Sequence, residues 1–307
     1  MRTSKRSALI VSLAAAGLAL AGCSSSASGQ PGSSASDGTV QVVASTDVWG
    51  SVAESVGGSH VHVTSIIDDP DKDPHEYQAD ARNQLAISKA DVVIANGGGY
   101  DDFVTTMVNA AKSTATVLTA AKISGYDQHP ADGEFNEHLW YDFPTVQKVA
   151  DKMADAFAKA DPADKADFTA AAAKFDGELK TLESTEAQLK NKYAGEKVTI
   201  TEPVPLYMLD AIGLDDVTPE KFSEAIENGT DVAPTVLQKT LALYTSKTAK
   251  LLAYNEQTTG AQTEAVLKAA KQNGIPVVPV TETLPAGQNY IGWMTANLDA
   301  IGAALAR

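Results

Sequence analysis

The sequence predicts an α/β protein built as two (β/α) lobes with mostly parallel sheets, joined by one long backbone helix. Three observations carry that expectation. Short β-branched runs alternate with longer helical patterns. A stretch of helix-forming composition with no internal proline separates two such series. The chain, 307 residues, is long enough for two cores of ordinary size.

Taken in order, the first segment is a leader over 1–22. Arg2, Lys5 and Arg6 precede an apolar run, 8–22, that is short of the roughly 20 residues a permanent membrane helix needs. It ends in Leu20-Ala21-Gly22-Cys23, which resembles a bacterial lipobox. Cleavage before Cys23 would make it the first mature residue, with its sulfur carrying a diacylglycerol that anchors the protein outside the cytoplasm at the cell membrane. Cys23 is the sole cysteine, so an intramolecular disulfide is excluded. Residues 23–38 are Ser/Gly/Ala-rich and predict a flexible tether. The chain carries a net charge of −15, and loss of the basic leader makes the mature form more acidic still, which argues against a nucleic-acid partner.

The first lobe is expected over 39–160. Strands are predicted at 40–44, 60–67, 91–95 and 114–118, with helices starting near Val48, Ala79 and Asp101. Pairing should be parallel, because helical crossovers separate the strands. The connecting helix is expected within 161–194, opened by Pro162. Phe168, Ala172, Phe175, Leu179, Leu182 and Leu189 recur at spacings of three, four or seven and mark one buried stripe. At ~1.5 Å per residue this helix reaches roughly 45 Å, the length of a two-lobed molecule, and restricts hinge opening. The second lobe, 195–307, offers strands at 197–201, 250–254 and 276–280, with helices near Pro205, Pro234, Ala261 and Tyr290.

Ligands of open parallel sheets bind beyond the carboxyl ends of the strands. Four residues share that address. His75, within Asp73-Pro74-His75-Glu76-Tyr77, follows the strand ending near Ile67, and His138 follows the one ending near Leu118. Glu202 directly follows the strand 197–201, and Glu282 follows the strand 276–280. Two imidazoles from one lobe and two carboxylates from the other would close on a cation, and that donor set suits zinc, manganese or iron better than magnesium. Pro74 and Pro203 restrict the backbone beside His75 and Glu202. Trp140 and Tyr141 can pack against the His138 ring, and Asp142 can orient a ring N–H. A loop histidine taken singly is more often solvent-exposed, and a strand-end glutamate is more often a surface residue. The weight lies in all four falling at strand exits. His60 and His62 have no companion carboxylate pattern and read as core or edge residues, while His129 reads as exposed.

With these residues set out, the chain resembles the cluster A-I substrate-binding lipoproteins of ABC transporters for zinc and manganese. The resemblance spans nearly the whole mature domain. It rests on Val42-Val43-Ala44-Ser45-Thr46, Asp73-Pro74-His75-Glu76-Tyr77, Ala90-Asp91-Val92-Val93-Ile94-Ala95-Asn96-Gly97 and Glu137-His138-Leu139-Trp140. In the last, Glu137 replaces the proline of the usual Pro-His-x-Trp. The resemblance implies that Glu202 is the third ligand and Glu282 the fourth, where an aspartate is usual. It also implies capture of one divalent transition metal, Mn2+ or Zn2+, as transported ligand and delivery to an ABC transporter permease, by a monomer that catalyses nothing.

Two imidazoles with two carboxylates, and a loop over 124–136 that holds only His129, tilt the reading toward manganese, although zinc has the higher intrinsic affinity for such sites. A secreted zinc-dependent hydrolase is the alternative, yet the sequence has no His-Glu-x-x-His, no Gly-x-Ser-x-Gly and no glycine-rich phosphate loop. A surface adhesin lipoprotein is a further alternative and predicts no stoichiometric metal.

Overall fold

A computed structural model describes residues 38–307 apart from 70–76, 78–79 and 132. The leader, Cys23, the tether and His75 lie outside the described residues.

The first half of the chain runs β1 (Val40–Thr46), α1 (Asp47–Gly57), β2 (Val61–Ile67), α2 (Ala81–Lys89), β3 (Val92–Ala95), α3 (Asp102–Ala111), β4 (Thr116–Thr119), α4 (Ala120–Ser124) and α5 (Phe143–Ala160). The long helix α6 (Lys165–Tyr193) follows. Beyond it come β5 (Lys197–Ile200), α7 (Leu206–Ile212), β6 (Asp215–Asp216), α8 (Glu220–Glu227), α9 (Pro234–Thr245), β7 (Leu252–Asn255), α10 (Ala261–Gln272), β8 (Val277–Val280) and α11 (Tyr290–Leu305). Two four-stranded sheets result, in the orders β2-β1-β3-β4 and β6-β5-β7-β8, and every pairing is parallel. The expected α/β architecture of two parallel-sheet lobes and one long helix is therefore present.

Continuous burial explains why the central strands read as unbroken apolar runs: all four residues of β3 and all four of β7 are buried. The predicted stripe on α6 is buried at every named position, from Phe168 to Leu189. Pro162 sits in a 3₁₀ turn (Pro162–Asp164) rather than in the helix itself. One hydrophobic core continues through both halves, taking in Val42 and Val92, the α6 stripe, and Val198 and Val280.

Several elements depart from the sequence reading. His60 closes a 3₁₀ turn (Gly58–His60), so β2 begins one residue later than expected. Both ring nitrogens of His60 meet carboxylates, Asp164 at 2.6 Å and Asp167 at 3.5 Å, so it does have companion acids, supplied about a hundred residues along the chain by the start of the long helix. The sequence reading assigns no helix to 143–160. There Pro144 presets the first turn of α5, and Phe143, Val146, Val149, Ala150, Met153 and Phe157 form a buried face at helical spacing. Helices α4 and α8 and the two-residue strand β6 are likewise additional.

Candidate metal centre

The site grows from the carboxyl ends of the strands. After β3 the chain turns through Gly97, Gly98 and Gly99, all in the left-handed region. A side chain at Gly98 would run into the Phe135 ring besides being strained there. Asp101 secures this turn, its carboxylate accepting from the Asn96 and Gly97 amides at 2.6 and 2.7 Å. Asn96 in turn accepts from Trp49 Nε1 and donates to the Glu137 carbonyl at 2.9 Å, which ties the turn to the segment carrying His138.

His138 is fully buried. Its ring sits edge-on to Trp140, with centroids 5.2 Å apart, as the sequence suggested. The residue that orients the ring is Asn136, whose Oδ1 lies 2.8 Å from Nδ1 and also accepts from the His138 amide at 3.1 Å. Asn136 Nδ2 donates to the Pro203 carbonyl at 3.1 Å, which fixes Oδ1 toward the imidazole. An accepting Oδ1 requires the proton on Nδ1, so Nε2 is the nitrogen that presents a lone pair to a cation. Asp142 does not have the role expected of it. It lies at the entrance to α5, where its carboxylate accepts from Tyr126 Oη at 3.0 Å and Thr145 Oγ1 at 2.5 Å. Tyr141 packs against Trp140 and Trp293.

From the second sheet, Glu282 follows β8 and is buried. Asn255 Nδ2, at the end of β7, donates to Oε1 at 2.9 Å, and Tyr100 Oη, from the glycine turn of the first half, donates to Oε2 at 3.2 Å. Its amide donates to Gln257 Oε1 at 2.5 Å. Oε2 stands 3.9 Å from His138 Nε2. Glu202, just after β5, is also buried, and the loop carrying it is clamped to the His138 segment through Asn136–Pro203 and through Tyr207 Oη, which donates to the Asn136 carbonyl at 2.8 Å.

Of the four residues singled out, His138 and Glu282 are thus brought together, and Glu202 lies on a loop bonded to the His138 segment. His75 falls outside the described residues. Bonds between the two halves of the chain recur around the site: Tyr141 Oη donates to the Thr281 carbonyl, Tyr290 Oη to that of Trp140, and the Leu284 amide to Asp47 Oδ1. The Asp47 carboxyl is pushed up to about 6 by burial.

Sequence reasoning missed Asn136, Tyr100, Asn255, Gln257 and Glu227. Asn136 had a local signal, since asparagine habitually bonds the backbone two residues on. The others are recruited only by tertiary packing. Glu227, the last residue of α8, places Oε1 3.7 Å from His138 Nε2.

Among the described residues, no helix is long and apolar enough to cross a membrane.

Residues 42–304 match the family described as ZnuA, "Zinc-uptake complex component A periplasmic". The chain is 25% identical over 275 residues to the manganese-binding lipoprotein MntA of Bacillus subtilis (strain 168), covering 88% of this chain and 87% of that one. It is 22% identical over 320 residues to the manganese ABC transporter substrate-binding lipoprotein scaA of Streptococcus gordonii, covering 99% of this chain and all of that one. In structure it resembles the periplasmic zinc-binding protein TroA of Treponema pallidum, with a TM-score of 0.74 at 19% identity over 88% of this chain and 100% of that chain. With the match running from the first strand almost to the end of the last helix, the chain belongs to the family of periplasmic A components of zinc-uptake complexes.

Proposed function

We propose that the protein holds one divalent transition metal between its two sheets, on His75, His138, Glu202 and Glu282, and hands it to an ABC transporter permease while tethered to the membrane through a lipidated Cys23. It is a substrate-binding protein of a metal importer and not an enzyme, and its cargo is Mn2+ or Zn2+. The observation that carries the site assignment is the buried imidazole of His138. Its tautomer is set by Asn136, and its Nε2 faces a carboxylate held by two donors from opposite halves of the molecule. Burying a histidine between carboxylates is costly unless a cation or proton neutralises the cluster. A divalent transition-metal ion that accepts imidazole and carboxylate together does so with the donors in place.

Native mass spectrometry of the protein incubated with Mn2+ or Zn2+ is expected to show one ion per chain. Metal binding to the folded state alone also raises thermal stability by mass action, about 2.7 kcal/mol at a free ion concentration of 100 Kd. Mg2+ at the same concentration should give no shift. Absence of a stoichiometric ion would remove the proposal.

Asn136→Ala tests how the ring is set. Without the acceptor, Nδ1–H has no fixed partner and the ring can turn, so metal affinity should fall by about 10- to 100-fold in chelator-competition titrations. Affinity equal to that of the parent protein would mean Asn136 has no part in presenting Nε2.

A further inference from the structure

Glu227 stands outside every site expectation, yet its carboxylate approaches the same nitrogen of His138 as Glu282 does. Its Oε1 is 3.7 Å from Nε2, and Glu282 Oε2 is 3.9 Å from it. Those separations exceed hydrogen-bonding range. They fit two donors sharing one ion. Atoms each bound at ~2.1 Å to a common cation lie roughly 3 to 4.2 Å apart as the angle between them opens from a right angle to a straight line. Glu137, which stands where the resembling motif has proline, belongs to the same group. Donor atoms of Glu137, His138 and Glu227 all lie within 4.8 Å of one another. The imidazole at the centre is fully buried, and the Glu227 side chain is only 11% exposed, so this is not a solvated acidic surface.

Resting on the metal-binding reading above, we propose that Glu227 is an additional metal donor, a carboxylate brought by α8, which makes the site rich in oxygen and biases it toward manganese. Zinc is satisfied by four donors in a tetrahedron. Manganese favours oxygen ligands and octahedral coordination. A further carboxylate therefore adds to Mn2+ binding and leaves Zn2+ binding comparatively unchanged. Glu227 also arrives from a helix of the second half while His138 belongs to the first, so ligation by Glu227 would pull α8 toward the ion.

The test is competition titration of Mn2+ and Zn2+, separately, against the parent protein, Glu227→Gln and Glu227→Asp, with His129→Ala as an exposed control. Glu227→Gln should lose at least about tenfold in Mn2+ affinity and several-fold less in Zn2+ affinity, lowering the manganese-to-zinc ratio. Glu227→Asp should recover part of the loss. If Glu227 merely pairs with the imidazole and competes with the ion, Glu227→Gln would bind both metals more tightly, and the assignment is overturned. Equal affinities for parent and variant overturn it as well. Failure of the parent protein to bind either ion would instead strike down the metal-site reading and this inference together.

Discussion

His138→Ala is expected to weaken Mn2+ and Zn2+ binding by at least about 100-fold, beyond what loss of an orienting partner alone produces. The imidazole contributes a nitrogen donor whose geometry is fixed on both sides. Asn136 holds Nδ1, and Trp140 packs across the ring edge. Removing it also takes away the nitrogen that both Glu282 and Glu227 approach within 4 Å. Because alanine opens a buried cavity, His138→Gln, which fills most of the space with a poor metal ligand, should be measured beside it. Both variants should keep the parent circular dichroism and lose the metal-dependent thermal shift, whereas His129→Ala, on the surface, should match the parent. Calorimetric affinities unchanged in His138→Ala and His138→Gln would dissolve the site.

The strands and the long helix were legible because their signals are local. β3 and β7 are buried on both faces, so they read as unbroken apolar runs, and the α6 stripe follows from helical spacing alone. The approach of Glu282 to His138 was legible for a different reason: parallel topology sends every strand exit to the same end of its sheet, so position in the alternation predicts proximity. What holds those residues was not legible. Tyr100 donates to Glu282 across 182 positions of sequence, and His60 finds Asp164 and Asp167 only because the long helix starts beside it. Asp142 shows the opposite error. A nearby charge looked like the natural partner of an imidazole, but α5 begins there and Thr145 and Tyr126 claim its carboxylate, while the neutral Asn136 reaches the ring. Local turn chemistry outweighed formal charge.

The buried stripe of α6 has one member that helical spacing places there but an ionisable side chain argues against, and it carries the second large effect: Glu186→Gln should stabilise the protein by about 2–4 kcal/mol at pH 8 and by little at pH 5. Glu186 lies between Leu182 and Leu189 on the face turned to the core and is 6% exposed. Among the described residues no cation pairs with it, and burial, reinforced by the charges of Glu183 and Asp142, pushes its carboxyl up to about 8 from the ordinary 4.5. The sign follows from proton counting. Between about 4.5 and 8 the native chain holds a proton at this position that the unfolded chain has released, so stability falls as pH rises through that window. Asp47, displaced upward to about 6 by burial, adds a smaller slope of the same sign in the lower part of the window. Glutamine reproduces the shape and polarity of the protonated acid without ionising, so it should flatten the Glu186 share of the slope. Urea unfolding at pH 5, 6.5 and 8 measures it, with the gap between variant and parent widening toward high pH. Parallel pH profiles for the two proteins would mean that Glu186 is ionised in the folded protein at no cost, which a carboxylate packed among leucines on the central helix cannot be unless a cation or water reaches it.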